Sequence, residues 1–305
     1  SGFLVCVVML AWPLAEFGWV LTLYQRGAVG MNRISEILAE TPEIRDDENT
    51  DSEATIRHGA IRFEGVHFAY QGGQEVLEDI HFEVQPGQTL AIAGPTGSGK
   101  STLTALLTRE YDPIRGSILI DGMNARRIPL RRLRSAIGYV PQDTFLFSDT
   151  IRANLALGRP NASEAEIQQA CDIAQFSEVL KETPSGLDTL LGERGINLSG
   201  GQKQRLTLAR ALLCDPVILI LDDSLSSVDT HTEENILQGL RRFMAERTSI
   251  IISHRISAIR HADQIIVIEQ GRIAERGTHD ELLQRDGIYA AMHRRQLLER
   301  RLEEE

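Results

Sequence analysis

Eight consecutive residues, Gly94, Pro95, Thr96, Gly97, Ser98, Gly99, Lys100 and Ser101, follow the pattern G-x-x-x-x-G-K-[ST] and leave this chain few folds to choose from. The run that leads in, TLAIA at 89–93, is continuously apolar, as expected for a strand buried on both faces of a parallel sheet. The run that leads out, STLTALLTREY, is compatible with a helix. That order has a physical reason. Glycines let backbone N–H groups curl around a phosphate, and a helix start adds positive potential. Lys100 is expected to reach the β- and γ-phosphates of a nucleotide, with Thr102 in the same cradle and Ser101 as a ligand of Mg2+. A second apolar strand, VILIL at 217–221, ends in Asp222. A carboxylate delivered beside such a loop is expected to hold Mg2+, directly or through water. Buried without such a role it would be costly.

The 305 residues suggest about two domains, and 42% hydrophobic with 25% charged residues is ordinary for a packed core. The net charge of −11 leaves no basic stripe for a phosphate backbone, so no nucleic-acid partner is expected. Cys6, Cys171 and Cys214 show neither metal-ligand spacing nor a disulfide framework, which fits a reducing compartment.

The start of the chain departs from the globular pattern. Gly2 to Leu23 carry one charge, Glu16, and as a helix span about 33 Å, enough for a bilayer core. The run lacks the basic start, short apolar stretch and small-residue cleavage site of a signal peptide. The competing reading is a buried helix of a soluble protein. Trp19 and Tyr24 sit where an interfacial belt belongs, and Arg26 and Arg33 follow, which puts the C-terminal side in the cytoplasm. Glu16 is expensive in lipid; it faces a protein interior or a water-filled path, or it lies near enough to the interface to stay wet. Pro13 is a candidate kink. Helical spacing continues through Val29, Met31, Ile34, Ile37 and Leu38 until Pro42, so residues 1–42 form one unit: a membrane helix with a cytoplasmic extension.

Residues 43–58 are acidic and polar and read as a linker; 59–305 then read as one domain of strands, glycine turns and helices. IRFEGVHFAY (61–70) and IHFEV (80–84) alternate like half-exposed antiparallel strands, and SIIIS (249–253) and QIIVIE (264–269) look like buried ones. From about 143 to 213 the pattern is mostly helical, with an amphipathic stretch opened by Ser163 as N-cap, and the tail from Thr278 is helical and charged.

Between the glycine loop and Asp222 lies LSGGQ, residues 198–202, followed by KQRLTLARALL. Here the region from about Gly59 onward resembles the ATP-binding cassette (ABC) family throughout, and the N-terminal segment resembles the last transmembrane helix of its exporter branch. The implied fold is α/β: a mixed sheet core with an antiparallel β subdomain and a helical subdomain, preceded by one transmembrane helix. The resemblance implies an ATPase coupled to export, in which two cassettes sandwich two ATP molecules head to tail. Ser199, Gly200, Gly201 and Gln202 open a helix, a natural anion site, and in the family this site grips the γ-phosphate of the opposite subunit's ATP. The resemblance further implies that Tyr70 stacks on adenine. Gln142 contacts Mg2+ and water, Asp229 lies in the loop through which the cassettes communicate, and His254 contacts the γ-phosphate. Residues 192–195, GERG, resemble the exporter loop that touches the membrane domains.

One position departs from the family. The glutamate that polarises the attacking water is replaced by Asp223. An aspartate carboxylate is retracted by roughly 1.5 Å, and general-base help worth about 10²–10⁴ in rate requires hydrogen-bond reach. Two expectations follow: slow hydrolysis of the ATP on this chain's own loop, or a base that works after a backbone adjustment. With LSGGQ intact, the first resembles the degenerate-site subunit of a heterodimer, whose partner is a different half-transporter carrying the glutamate. The competing functions are a non-transport cassette ATPase and an importer's ATPase subunit; the apolar helix counts against both. Family halves carry six transmembrane helices, whereas one is legible here and the chain begins with serine, so it is expected to be the C-terminal part of a multi-pass protein of the inner or plasma membrane. The transported substrate is not legible.

Overall fold

The structure, a computed structural model, describes residues 2–304, except for the side chains of Leu10, Leu14 and residues 300–304. It divides into two compact units, residues up to Arg45 and residues from Asp46 onward.

The first unit is one helix, α1 (Gly2–Ala39), of 38 residues. At 1.5 Å per residue it is about 57 Å long, well beyond a bilayer core. It is long and apolar enough to cross a membrane and passes through Pro13 without interruption. Glu16 accepts a hydrogen bond from Trp12 Nε1 at 2.7 Å, one turn away, so the helix itself supplies a partner for its one apolar-run carboxylate.

In the second unit the elements run β1 (Ile61–Ala69), β2 (Glu75–Val84), β3 (Thr89–Ala93), α2 (Lys100–Leu107), β4 (Arg115–Ile120), β5 (Met123–Asn124), α3 (Leu130–Ser135) and β6 (Ile137–Val140). Then come α4 (Ile151–Ala156), α5 (Glu164–Ile173), α6 (Ser177–Glu182), α7 (Gly200–Leu213), β7 (Ile218–Asp222), α8 (Thr230–Met244), β8 (Thr248–Ile252) and α9 (Ile256–Ile259). The domain closes with β9 (Gln264–Glu269), β10 (Arg272–Gly277), α10 (His279–Gln284) and α11 (Ile288–Glu304).

A six-stranded sheet has the order β10-β9-β3-β8-β7-β6 and is parallel except for the β9–β10 hairpin. A four-stranded antiparallel sheet has the order β2-β1-β4-β5. Alternate residues of the parallel strands feed two cores. Leu90, Ile92, Ile218 and Ile220 pack with the antiparallel sheet and with Leu103, Leu106 and Leu107 of α2. Ala91, Ala93, Leu219 and Leu221 pack with residues of α5, α7 and α8. Burial on both faces is why these strands read as continuous apolar runs. Ser163 caps α5 with a full capping box, as its sequence predicts.

From Asp46 on, the segment expected to act as a linker lies against the domain. Asp46 Oδ1 accepts from Leu130 N at 2.9 Å, and Ala54 is buried. Asp121, after β4, accepts from the N–H groups of Arg57, His58 and Ala60 at 2.7, 2.9 and 2.9 Å. Burial pushes the Asp121 carboxyl up, but these N–H groups together outweigh it and leave it below the ordinary range.

Candidate nucleotide site

The central strands of the parallel sheet end together. Ile92 pairs with Ile252, and Ile252 pairs with Asp222. Gly94, Asp223 and Ser253 therefore leave the sheet side by side at its carboxyl edge, where open α/β sheets bind ligands.

The loop between β3 and α2 depends on its glycines. Gly94 and Gly99 have φ of 143° and 103°. A Cβ at Gly94 would lie 2.2 Å from Ile268 O, and one at Gly99 would lie 2.7 Å from Leu77 Cδ2. Gly99 is the N-cap of α2 and has no side chain to bond the helix-start N–H groups. Among the described residues Ser98 Oγ is buried without a hydrogen-bond partner. An orphaned hydroxyl in a glycine cradle fits a phosphate oxygen as its missing partner. Lys100 Nζ donates to the loop's own carbonyls, Gly94 O at 2.9 Å and Pro95 O at 2.8 Å. Burial pushes its ammonium down, and the carboxylates of Asp222 and Asp223 oppose this only in part.

Asp222 is 2% exposed. Burial drives its carboxyl above the ordinary range; a Ser101 hydrogen bond pulls the other way, Asp223 adds to the rise, and Lys100 and Tyr139 oppose it. Ser101 and Asp222 are thus hydrogen-bonded neighbours, a pair of hard oxygen donors of the kind Mg2+ takes. Asp223 follows with φ of 45° and is anchored by its N–H to Ile252 O at 2.8 Å. Aspartate enters this left-handed region more readily than most residues, which is a local reason for its presence here.

The other expected site residues fall into two groups. Tyr70 stands over α2, its hydroxyl 3.1 Å from Thr102 Oγ1, with its ring edge-on to Phe68 and Tyr111 and 42% of the residue exposed. His254 follows β8 at the same sheet edge as Gly94. Gln142 is exposed in the loop after β6. Val140 pairs with Leu221, so that loop starts beside Asp222, although Gln142 makes no hydrogen bond to Ser101 or Asp222 among the described residues. The second group opens α7. Ser199 is its N-cap, and Ser199 and Gln202 form a capping box: Gln202 N donates to Ser199 Oγ at 3.3 Å and Ser199 N to Gln202 Oε1 at 2.9 Å. Asp229 caps α8 by accepting from Thr232 N at 3.0 Å. Residues 193–195 form a 3₁₀ turn with Arg194 at φ 50°.

Two further contributors escape motif reading. Tyr139, pushed up to about 12 mainly by burial, hydrogen-bonds Thr104 and Asp222. Buried Gln204 donates to Ser226 Oγ at 3.0 Å and accepts from Ser227 N at 2.9 Å, tying α7 to the loop after Asp223. The available signal for Gln204 is a polar side chain on the helix's inward stripe.

Residues 77–226 match the ABC transporter family, a span that runs from within β2 past the glycine loop, LSGGQ and Asp223. The chain carries an ABC transporter ATPase domain. A probable multidrug resistance ABC transporter ATP-binding/permease protein of Bacillus subtilis is 45% identical over 299 residues, covering 97% of this chain and 51% of that protein. ATP-binding cassette sub-family B member 6 of Xenopus tropicalis is 44% identical over 290 residues, covering 95% of this chain and 34% of the relative. Among solved structures, a bacterial Atm1-family ABC exporter with ATP bound superposes with a TM-score of 0.88 at 42% identity, over 93% of this chain and 50% of that one. The chain therefore spans 34–51% of the length of these proteins. In fold and ATPase class the ABC domain agrees with the expectation from its motifs.

Proposed function

We propose that this chain belongs to one half of a dimeric, ATP-driven exporter, with α1 in the membrane and the ABC domain on its cytoplasmic side. The observation that carries the reading is the meeting of the glycine loop, Asp222 and His254 at one sheet edge, in a chain whose likeness to an ATP-bound exporter extends over 93% of its length. Lys100, released from Gly94 O and Pro95 O, would hold the β- and γ-phosphates, with Ser98 Oγ and the loop N–H groups around them. Tyr70 would receive the adenine. Ser101 and Asp222, with Gln142 from the neighbouring loop, would hold Mg2+, which supplies charge neutralisation on the phosphate oxygens when bound. His254 would donate to the γ-phosphate. Ser199, Gly200, Gly201 and Gln202 would serve the ATP of the partner subunit.

In this reading Asp223 makes the chain's own site a slow one, and the partner is a different half-transporter with glutamate at that position. The inner or plasma membrane is the natural location, and the cargo belongs to the membrane helices. In the assembled full-length transporter, Asp223→Glu is expected to raise turnover at this site about tenfold or more. Full family rates from the subunit purified alone, unchanged by Asp223→Glu, would sink the slow-site reading. Loss of ATP-driven uptake into inside-out vesicles on Lys100→Ala tests the transport reading itself.

A further inference from the structure

The loop that carries His254 has no ladder of its own. β8 stops at Ile252, and α9 begins at Ile256 with Arg255 as an N-cap whose side chain caps nothing. The His254 carbonyl and the first-turn Ile256 N–H are therefore groups that the local secondary structure leaves open. Both are taken by one side chain from the far C-terminal helix. Gln296 Oε1 accepts from Ile256 N at 2.9 Å, and Gln296 Nε2 donates to His254 O. A planar amide fills these two places much as a neighbouring strand would.

Gln296 stands on the inward stripe of α11, in helical register with buried Tyr289 and half-buried Met292. The next residues, Leu297 and Leu298, are exposed. Arg255, between His254 and Ile256 in the chain, donates to Ser226 O at 2.8 Å and Val228 O at 3.1 Å and pairs with Glu233, a residue only 2% exposed. Residues 254–256 are thus bonded both to α11 and to the loop that follows Asp223.

We infer that Gln296 is a positioning residue for His254: the C-terminal helix fixes the backbone from which the imidazole reaches the nucleotide. The inference rests on the reading of His254 as a γ-phosphate contact. A displacement of about 1 Å at such a contact costs on the order of 10²-fold in rate, so partial loosening should cost about tenfold. Gln296→Met keeps the length and packing of the side chain and removes both hydrogen bonds.

The test uses the full-length transporter with its partner, Asp223→Glu in this chain and the partner's catalytic glutamate changed to glutamine, so that this site dominates turnover. Gln296→Met is expected to lower kcat about tenfold, to leave KM for ATP within about twofold and to have no further effect once His254 is alanine. It should also raise amide hydrogen exchange across residues 253–259. An equal loss in the His254→Ala background, an unchanged kcat or unchanged exchange over that segment overturns the inference. Undiminished turnover in His254→Ala alone sinks the reading of the site instead. If Asp223→Glu adds no turnover, the reading of Asp223 falls, and the Gln296 comparison is read at the turnover that remains.

Discussion

Two helices of the ABC domain begin at glycine-rich turns, and they begin in opposite ways. α2 opens from Gly99, a left-handed N-cap with no side chain to offer, and the neighbouring Ser98 hydroxyl is buried with no partner among the described residues. α7 opens from Ser199, whose hydroxyl already accepts from Gln202 N while the Gln202 side chain returns the bond. At α2 the fold has left its donors to an anion and turned Lys100 onto loop carbonyls. At α7 it has satisfied the helix start internally, so Ser199 meets a phosphate only by sharing or exchanging a partner. A helix N-terminus is an anion site in general, yet only one of these is held open for a ligand of its own chain.

Four measurements sharpen that contrast. Lys100→Ala removes a charge-assisted contact worth roughly 2–3 kcal/mol, so equilibrium binding of a fluorescent ATP analogue should weaken about 10²-fold. Gly201→Ala would put a Cβ 2.8 Å from Ser227 O, a backbone atom; overpacking of this kind costs about 1–3 kcal/mol, visible as a lower Tm with the chain's own ATP affinity little changed. The third is pH. Burial lowers the Lys100 ammonium below its usual range, and ATP prefers the protonated form. Affinity should then be complete below that lowered pKa and fall as pH rises through it, by at most about tenfold per pH unit. Lys100→Arg should flatten the profile, because guanidinium keeps its charge. The smallest effect belongs to Ser199→Ala. Losing the cap costs about 1 kcal/mol, a fall in Tm of roughly 2–4 °C for a domain of this size, again with the chain's own ATP affinity intact. A loss of that affinity of about tenfold on Ser199→Ala would break the contrast.

Legibility in the sequence followed locality. The glycine loop could be read because eight consecutive residues form it, and VILIL ending in Asp222 because a strand buried on both faces shows no alternation. Other features depend on residues far apart. The linker composition of residues 46–58 gives no hint that Asp121 gathers N–H groups from Arg57, His58 and Ala60. Nothing in YVPQD says that Tyr139 meets Asp222, and nothing near His254 points to Gln296. Such contacts arise from sheet order and helix docking, which composition and periodicity do not encode.

The tie between α7 and the loop after Asp223 has one more consequence. Gly201 lies against Ser227 without room for a Cβ, Gln204 bonds Ser226 and Ser227, and Arg255 grips the carbonyls of Ser226 and Val228. Ser199 and the loop after Asp223 are therefore packed and hydrogen-bonded as one unit. Equilibrium thermodynamics makes such a connection two-way: whatever factor a ligand beside Asp223 imposes on what Ser199 holds, the molecule held at Ser199 imposes the same factor in return.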